Sequence, residues 1–464
     1  MPSHGSNRSV RAALPPDPNL QSKFVVSSTS KPVRIALLGC GTVGGGVVKL
    51  LRRNAAIYAR KLGRPLELAG IADRSLRPDR SLGITSALIT RDSGALVERP
   101  DIDIVVELFG GHQPARSLIL KALAAGKDVV SGNKALLAEH GGEIFKSAAR
   151  RGLAVGFEAS VGGGIPIIRT LRQALAGDRQ RAVYGIVNGT CNSILTTMSE
   201  HGVEFKTALA DAQKSGIAEP DPTLDIEGHD AAHKLCLLVT LAFGVMLTPN
   251  QVHTEGITRV TQDDIGYARQ LGFAIKLLAI AKEDDGTIEA RVHPTMISSD
   301  HLLAGVGGAF NAIYIHGEAL GSTMYWGLGA GQMPTATAVM ADVLEIARDR
   351  IAGASGRPHA LGLPVEHVKR AHVKPMDDVV CEYYLRFMAR DKPGVLGAIA
   401  SILGRNGISI ASVIQKDRGA EKTVPIVMRT HDTPERNLKR ALARIGQLKM
   451  VDANPAFIRI EENL

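Results

Sequence analysis

The sequence predicts an α/β protein in three parts: a parallel sheet with helices on both faces, a mixed α+β region, and a compact C-terminal unit. Three observations predict it. Short apolar runs alternate with helical patterns from Val33 to Phe157, the order that covers a parallel sheet on both sides. A glycine-rich turn joins the first of these runs to the helix after it. Beyond Ser160, Val161-Gly162-Gly163-Gly164-Ile165-Pro166 interrupts the alternation, as Gly and Pro do at boundaries.

The elements follow in order. Val33 to Leu38 reads as a buried strand, then comes the turn Gly39-Cys40-Gly41-Thr42-Val43-Gly44 and a helical pattern to about Leu62. Further strands are placed at 66–72, 102–108, 128–131 and 153–157, with helical segments such as 115–125 and 141–151 between them. An α+β region continues to about Thr323. A helix with a Gly-rich start follows from Gly329, and residues 353–375 are rich in Gly, Pro and His.

Gly39-x-Gly41-x-x-Gly44 gains its meaning from lying between a strand and a helix, the context of a Rossmann-type dinucleotide site. The first glycine makes the turn, the second admits a pyrophosphate and the third lets helix and strand pack closely. Thr42 and Val43 open the helix, whose free N–H groups face an anion. Asp73 closes the second strand, where a carboxylate accepts the ribose hydroxyls of NAD, and Arg74 beside it suits the 2′-phosphate of NADP. NAD and NADP both remain open.

Three runs carry a resemblance to one family. Leu37-Leu38-Gly39-Cys40-Gly41-Thr42-Val43-Gly44 is similar to its cofactor loop, and Ser131-Gly132-Asn133-Lys134-Ala135-Leu136-Leu137-Ala138 to its T-A-N-K-A-L-L-A element. The third run, Glu219 to Asp225 and on through Gly228-His229-Asp230-Ala231-Ala232-His233-Lys234-Leu235, resembles its longest signature. The family is homoserine dehydrogenase, and the likeness spans about residues 33–349. It implies interconversion of L-homoserine and L-aspartate 4-semialdehyde with NAD(P)(H). It implies Lys234 as proton donor and acceptor, Glu219 and Asp230 as partners of the substrate and an ordered water, and Lys134 near nicotinamide and substrate. It also implies Gly329 at the cofactor, and a monovalent cation such as Na+ enclosed by Glu158, Val161, Gly163 and Ile165. Asp230 and Lys234 are four apart, on one helix face. His229 and His233 share that spacing, and without a third ligand they read as polar packing residues rather than a zinc pair.

At the C-terminus, a strand signal at Tyr384-Leu385-Arg386-Phe387 precedes Asp391-Lys392-Pro393-Gly394, an amphipathic helix to about Arg405 and a strand opening at Gly407-Ile408-Ser409-Ile410. This resembles the ACT domain, a ferredoxin-like βαββαβ unit, and implies Asp391, Gly394 and Ser409 as contacts of an amino-acid effector such as threonine. The expected division is a disordered tail or transit peptide at 1–31, a dinucleotide domain at 32–159 and a catalytic and dimerisation domain at 160–328. A segment at 329–349 packs back on the first domain, a loose linker spans 350–378, and the ACT domain spans 379–464. A chain cut after Pro375 is expected to keep a working catalytic core.

The formal charge of 55 − 46 = +9 could favour nucleic acid, but the basic residues are dispersed and aromatics are only 4%, too few for stacking platforms. Four scattered cysteines, Cys40, Cys191, Cys236 and Cys381, suit a reducing cytoplasm, and no apolar run has membrane-spanning length. The expected partners are small molecules and further copies of the chain, as a homodimer or homotetramer.

Overall fold

The computed structural model describes residues 31–415, 423–452, 454–462 and 464. All of the tail at 1–31 except Lys31 lies outside the described residues. Six strands, β1 (Val33–Leu38), β2 (Leu66–Ala72), β3 (Ile89–Thr90), β4 (Ile104–Glu107), β5 (Asp128–Ser131) and β6 (Val155–Gly156), form a parallel sheet ordered β3-β2-β1-β4-β5-β6. The order reverses beside β1, which opens a crevice at the carboxyl ends of β1 and β4. The helical pattern after the glycine turn splits at Asn54 into α1 (Thr42–Arg53) and the helix Ala55–Leu62. Helix α2 (Lys134–Ala149) starts seven residues before the predicted Gly141.

The second region has five antiparallel strands, β7 (Gln180–Ile186), β8 (Phe273–Asp284), β9 (Thr287–Ser298), β10 (Phe310–Gly317) and β11 (Gly321–Leu328), ordered β11-β10-β7-β8-β9. Its helices include α3 (Gly189–His201), α4 (His229–Phe243), α5 (Gln262–Gln270) and α6 (Gln332–Ile351). Leu235, Leu238 and Val239 of α4 share a core with Val183, Ala279 and Ile313 on one face of this sheet. Helix α6 instead joins the first sheet, where Ala336, Val339 and Val343 pack with Ile35, Leu37, Ile104 and Val106. It approaches α1 so closely that a Cβ on Gly46 would stand 2.6 Å from the Gln332 carbonyl oxygen.

The C-terminal unit runs β12 (Val380–Arg390), α7 (Val395–Arg405), β13 (Ile410–Gln415), β14 (Thr423–Thr430), α8 (Glu435–Ile445), β15 (Ala456–Glu461). Its strands are antiparallel in the order β15-β12-β14-β13, the expected βαββαβ arrangement. Both helices pack on one face through Ile399, Leu403, Leu438 and Ile445.

The two antiparallel sheets are continuous. β15 pairs in parallel with β9, from Thr295↔Arg459 to Ile297↔Glu461. The same edge of β9 also carries His372–Val373 at Thr287–Ile288 and His253–Thr254 at Arg291–Val292. Charged side chains are buried along this seam. Arg291 is 0% exposed and pairs with Glu289 at 2.7 Å and with Glu461, while Lys282 meets Glu461 at 2.7 Å. Arg459 meets Glu435 at 2.7 Å and Glu255 at 2.8 Å, and Arg386 meets Asp264 at 2.7 Å. The segment expected to be a loose linker is docked: Lys369–Arg370 pairs with Val245–Met246, and Leu361 is buried. The C-terminal unit shares a sheet with the catalytic region, so cutting it away would expose the edge of β9 and leave Arg291 without Glu461. Two-residue strands have no periodicity, and pairing with distant strands leaves no local trace.

Candidate active site

The glycine turn closes the crevice for reasons visible at each position. Gly39 has φ 91°, and Cβ there would lie 3.0 Å from the Leu108 carbonyl oxygen. On Gly44 it would lie 2.3 Å from the Gly39 oxygen, whereas on Gly41 it would meet no protein atom within 4 Å. Gly39 and Gly44 therefore serve packing, and Gly41 faces open space. Thr42 and Val43 begin α1, whose N-cap is Gly41 without a side-chain cap bond, so its first N–H groups are left for a ligand.

Asp73 stands at the end of β2, and its carboxylate is already occupied. Oδ2 accepts from Cys40 N at 2.9 Å, and Oδ1 accepts from Ser75 N at 2.8 Å, Ser75 Oγ at 3.0 Å and Leu76 N at 3.0 Å. Partial burial opposes the charge, but these hydrogen bonds outweigh it and lower the pKa. Arg74 is exposed beside it.

At the other side of the crevice, three charged groups meet. Asn133 caps α2 by accepting from Leu136 N at 3.2 Å, which places Lys134 at the first helical position. Lys134 Nζ lies 3.1 Å from Asp230 Oδ1, and Lys234 Nζ donates to Asp230 Oδ2 at 2.6 Å and to the Val187 carbonyl at 2.6 Å. Burial acts to raise the Asp230 pKa, but Lys234 and Lys134 outweigh it and hold the carboxyl well below the usual range. Asn188 Nδ2 donates to Asp230 Oδ2 at 2.9 Å and to Asp225 Oδ1 at 2.7 Å. Asn188 escapes a reading of the sequence aimed at charged groups. Its signal is an Asn directly after a strand and capping the next helix, which repeats the placing of Asn133.

Glu219 is not joined to this cluster. Its residue is exposed, Gln213 Nε2 donates to its carbonyl at 3.3 Å, and among the described residues no contact links its carboxylate to Lys134, Asp230 or Lys234. His229 is exposed, while His233 turns toward Glu139 at 3.9 Å, so the two histidines do not form a pair.

Glu107, at the end of β4, is a second group not singled out in the sequence. It is fully buried, accepting from Ser131 Oγ at 2.6 Å and Phe109 N at 2.7 Å. Burial outweighs these bonds and pushes its pKa up to about 7. The folded state thus prefers the protonated form more than the unfolded chain does, with its reference near pH 4.5. That contribution to stability is full below about pH 4.5 and is lost as pH rises through about 7. Glu107→Gln is expected to lose less melting temperature than the parent between about pH 5.5 and 8; parallel melting curves across that range would sink the assignment.

The candidate cation residues are buried together. Glu158 accepts from Ile168 N at 2.8 Å and Arg169 N at 2.9 Å, and burial raises its pKa. Asp342 accepts from Glu158 N at 2.8 Å, and burial, then Glu158, push its carboxyl up to about 7. Val161, Gly163 and Ile165 are buried in the loop that follows. Cβ on Gly163 would meet the Gly329 carbonyl oxygen at 2.4 Å, so Gly329 packs on this loop. In the C-terminal unit, Asp391 and Gly394 follow β12 while Ser409 precedes β13. Arg390 pairs with Thr423 and Ile410 with Thr430, which puts the two groups at opposite ends of β14, roughly 23 Å apart at ~3.3 Å per residue.

A Rossmann-type crevice facing a Lys–Asp–Lys cluster built on a buried aspartate, with an ACT fold attached, defines an NAD(P)-dependent oxidoreductase carrying an effector-type domain. Comparison with known proteins makes the class specific. The family model described as Homoserine dehydrogenase matches residues 166–344, that of Homoserine dehydrogenase, NAD binding domain matches 39–158, and that of the ACT domain matches 383–449. A homoserine dehydrogenase of Neisseria gonorrhoeae is 44% identical over 93% of this chain and 99% of its own length, and one of Pseudomonas aeruginosa is 43% identical over the same shares. The crystal structure of a homoserine dehydrogenase from Thiobacillus denitrificans superposes with TM-score 0.87 at 44% identity, covering 93% of this chain and 99% of that one. A hyperthermophilic archaeal homoserine dehydrogenase in complex with NADPH gives TM-score 0.59 at 29% identity, over 68% and 97% of the two chains. The chain belongs to the homoserine dehydrogenase family. Among the described residues no helix is long and apolar enough to cross a membrane.

Proposed function

We propose that the Lys134–Asp230–Lys234 cluster interconverts L-homoserine and L-aspartate 4-semialdehyde, with Lys234 exchanging a proton with the reacting oxygen. The observation that carries this reading is the donor count at Lys234. An ammonium has three N–H donors; Val187 O and Asp230 Oδ2 take two, which leaves one for a substrate. Asp230 fixes the direction of that donor, and Lys134 adds positive charge where an alkoxide develops. The nicotinamide, when bound between the glycine turn and β4, supplies or accepts the hydride. Asp225, held by Asn188, is the carboxylate already beside Asp230, and Glu219 serves the substrate's amino group only if its loop turns inward. The test is NADPH or NADH consumption that requires L-aspartate 4-semialdehyde; consumption without it, or none with it, would overturn the reading.

The chain is proposed to use both NADP and NAD. Asp73 already accepts four hydrogen bonds, so it orients the turn more than it grips a ribose, while exposed Arg74 is placed for a 2′-phosphate. Arg74→Ala is expected to raise KM for NADPH about tenfold, as loss of a charged hydrogen bond does, and to leave KM for NADH nearly unchanged. Equal effects on both would move the phosphate site elsewhere.

A structural Na+-like cation at Glu158, Val161, Gly163 and Ile165 fits the buried, raised carboxyls there, whose charge it would offset. Threonine is the proposed effector. Because Asp391 and Ser409 stand at opposite ends of β14, a site using both needs the β13 edge of a second copy, which supports a homodimer or homotetramer. The proposed division keeps the five segments at 32–159, 160–328, 329–349, 350–378 and 379–464. The free cysteines support a cytoplasmic setting. The same assay across a threonine titration reads the regulation: inhibition is expected, and an unaffected rate would leave the ACT unit a pairing module.

A further inference from the structure

A side-chain cluster outside the catalytic machinery has the composition of a transition-metal site. His112 lies in the loop after β4, and Glu139 and His140 are consecutive residues of α2. One ligand atom from each lies within 4.8 Å of the others. Consecutive helix positions point about 100° apart, so this convergence depends on His112 standing between them. His112 Nε2 is 3.4 Å from Glu139 Oε1, close to the ~3.4 Å edge of a tetrahedron with ~2.1 Å metal–ligand bonds. The His112 and His140 rings meet edge to face with centroids 5.5 Å apart. On the inner side His233 Nε2 lies 3.9 Å from the same Glu139 oxygen, and its buried Nδ1 has no hydrogen-bond partner. His112 and Glu139 keep 36% and 38% of their side-chain surface, so an ion and its remaining waters can enter from solvent.

We propose that His112, Glu139 and His140 bind a borderline-soft divalent metal ion of the Zn2+ and Co2+ class. Two imidazoles and one carboxylate are the donors such ions prefer and too few oxygens for Ca2+ or Mg2+. The ion would tie the loop after β4 to α2. Asn133 Nδ2 already joins the same two elements by donating to Gly111 O at 2.7 Å and Phe109 O at 3.3 Å, so occupancy would stiffen the floor of the cofactor crevice.

The test uses the full chain after EDTA treatment. Calorimetric titration with ZnCl2 is expected to give one site at micromolar affinity, and CoCl2 is expected to give the visible absorption of low-coordinate Co2+. His112→Ala and His140→Ala should each weaken Zn2+ binding at least tenfold and abolish the Co2+ band, while Cys40→Ser leaves both signals in place. Circular dichroism of each variant confirms that it is folded. No Zn2+ binding below millimolar concentration, or a folded His112→Ala/His140→Ala double variant that binds as the parent does, would overturn the proposal and leave these residues a surface ion pair.

Discussion

Lys234→Ala is expected to lower turnover ~10²–10⁴-fold, the usual cost of losing general acid–base help, with dinucleotide binding nearly intact. The variant should fold, because Asp230 keeps Lys134 at 3.1 Å and Asn188 at 2.9 Å. The glycine turn belongs to a different element, so titration with NADPH, followed by the fluorescence of the bound nicotinamide, separates binding from chemistry. Loss of binding and turnover together would give Lys234 a structural role. Turnover within about threefold of the parent would remove it from the proton path.

Glu461→Ala is expected to cost about 3–5 kcal/mol, the range for removing one partner of a buried ion pair. It leaves Arg291, 0% exposed, with Glu289 alone and takes from Lys282 its partner at 2.7 Å. Two opposed terms decide the size. The pair's Coulomb attraction is largely spent on desolvation, so the loss comes from the charge left buried without compensation. Replacing Arg291, Glu289 and Glu461 together by apolar residues should therefore recover much of the stability that the single change removes. Chemical denaturation would read both, and a cost below about 1 kcal/mol for Glu461→Ala would mean that water reaches the seam.

How much of this was legible depends on the distance over which each signal acts. β1, β2 and β5 have the predicted bounds: β1 and β5 are buried on both faces, β2 is buried over its last three residues, and each ends at a turn or a helix cap. β3 was missed since Ile89–Thr90 is too short to show a period, and the break at Asn54 carries no proline or glycine. That Asp230 and Lys234 share one helix face was readable from their spacing, while their roles came from the resemblance. That Lys134 joins them came from the resemblance, since the encounter brings α2 and α4 together across two domains. Asn188 and Glu107 work by positioning neighbours, and nothing in their local sequence separates them from ordinary capping and strand residues. The β9–β15 seam was invisible for the same reason as most long-range pairing: each strand alone reads as an unremarkable apolar run.

That seam also sets a timetable for synthesis. Thr295 must wait for Arg459, which emerges 459 − 295 = 164 residues later, roughly 8–33 s at ~5–20 residues per second. Throughout that interval the nascent chain carries Arg291 with one of its two carboxylates still unmade, beside a strand edge left unpaired at Thr295–Ile297. An unpaired edge of this kind is a template for wrong partners. The ribosome-bound chain thus still carries this open edge after α6 has completed its dinucleotide domain, and a premature stop anywhere before Arg459 yields a product that cellular proteolysis should remove.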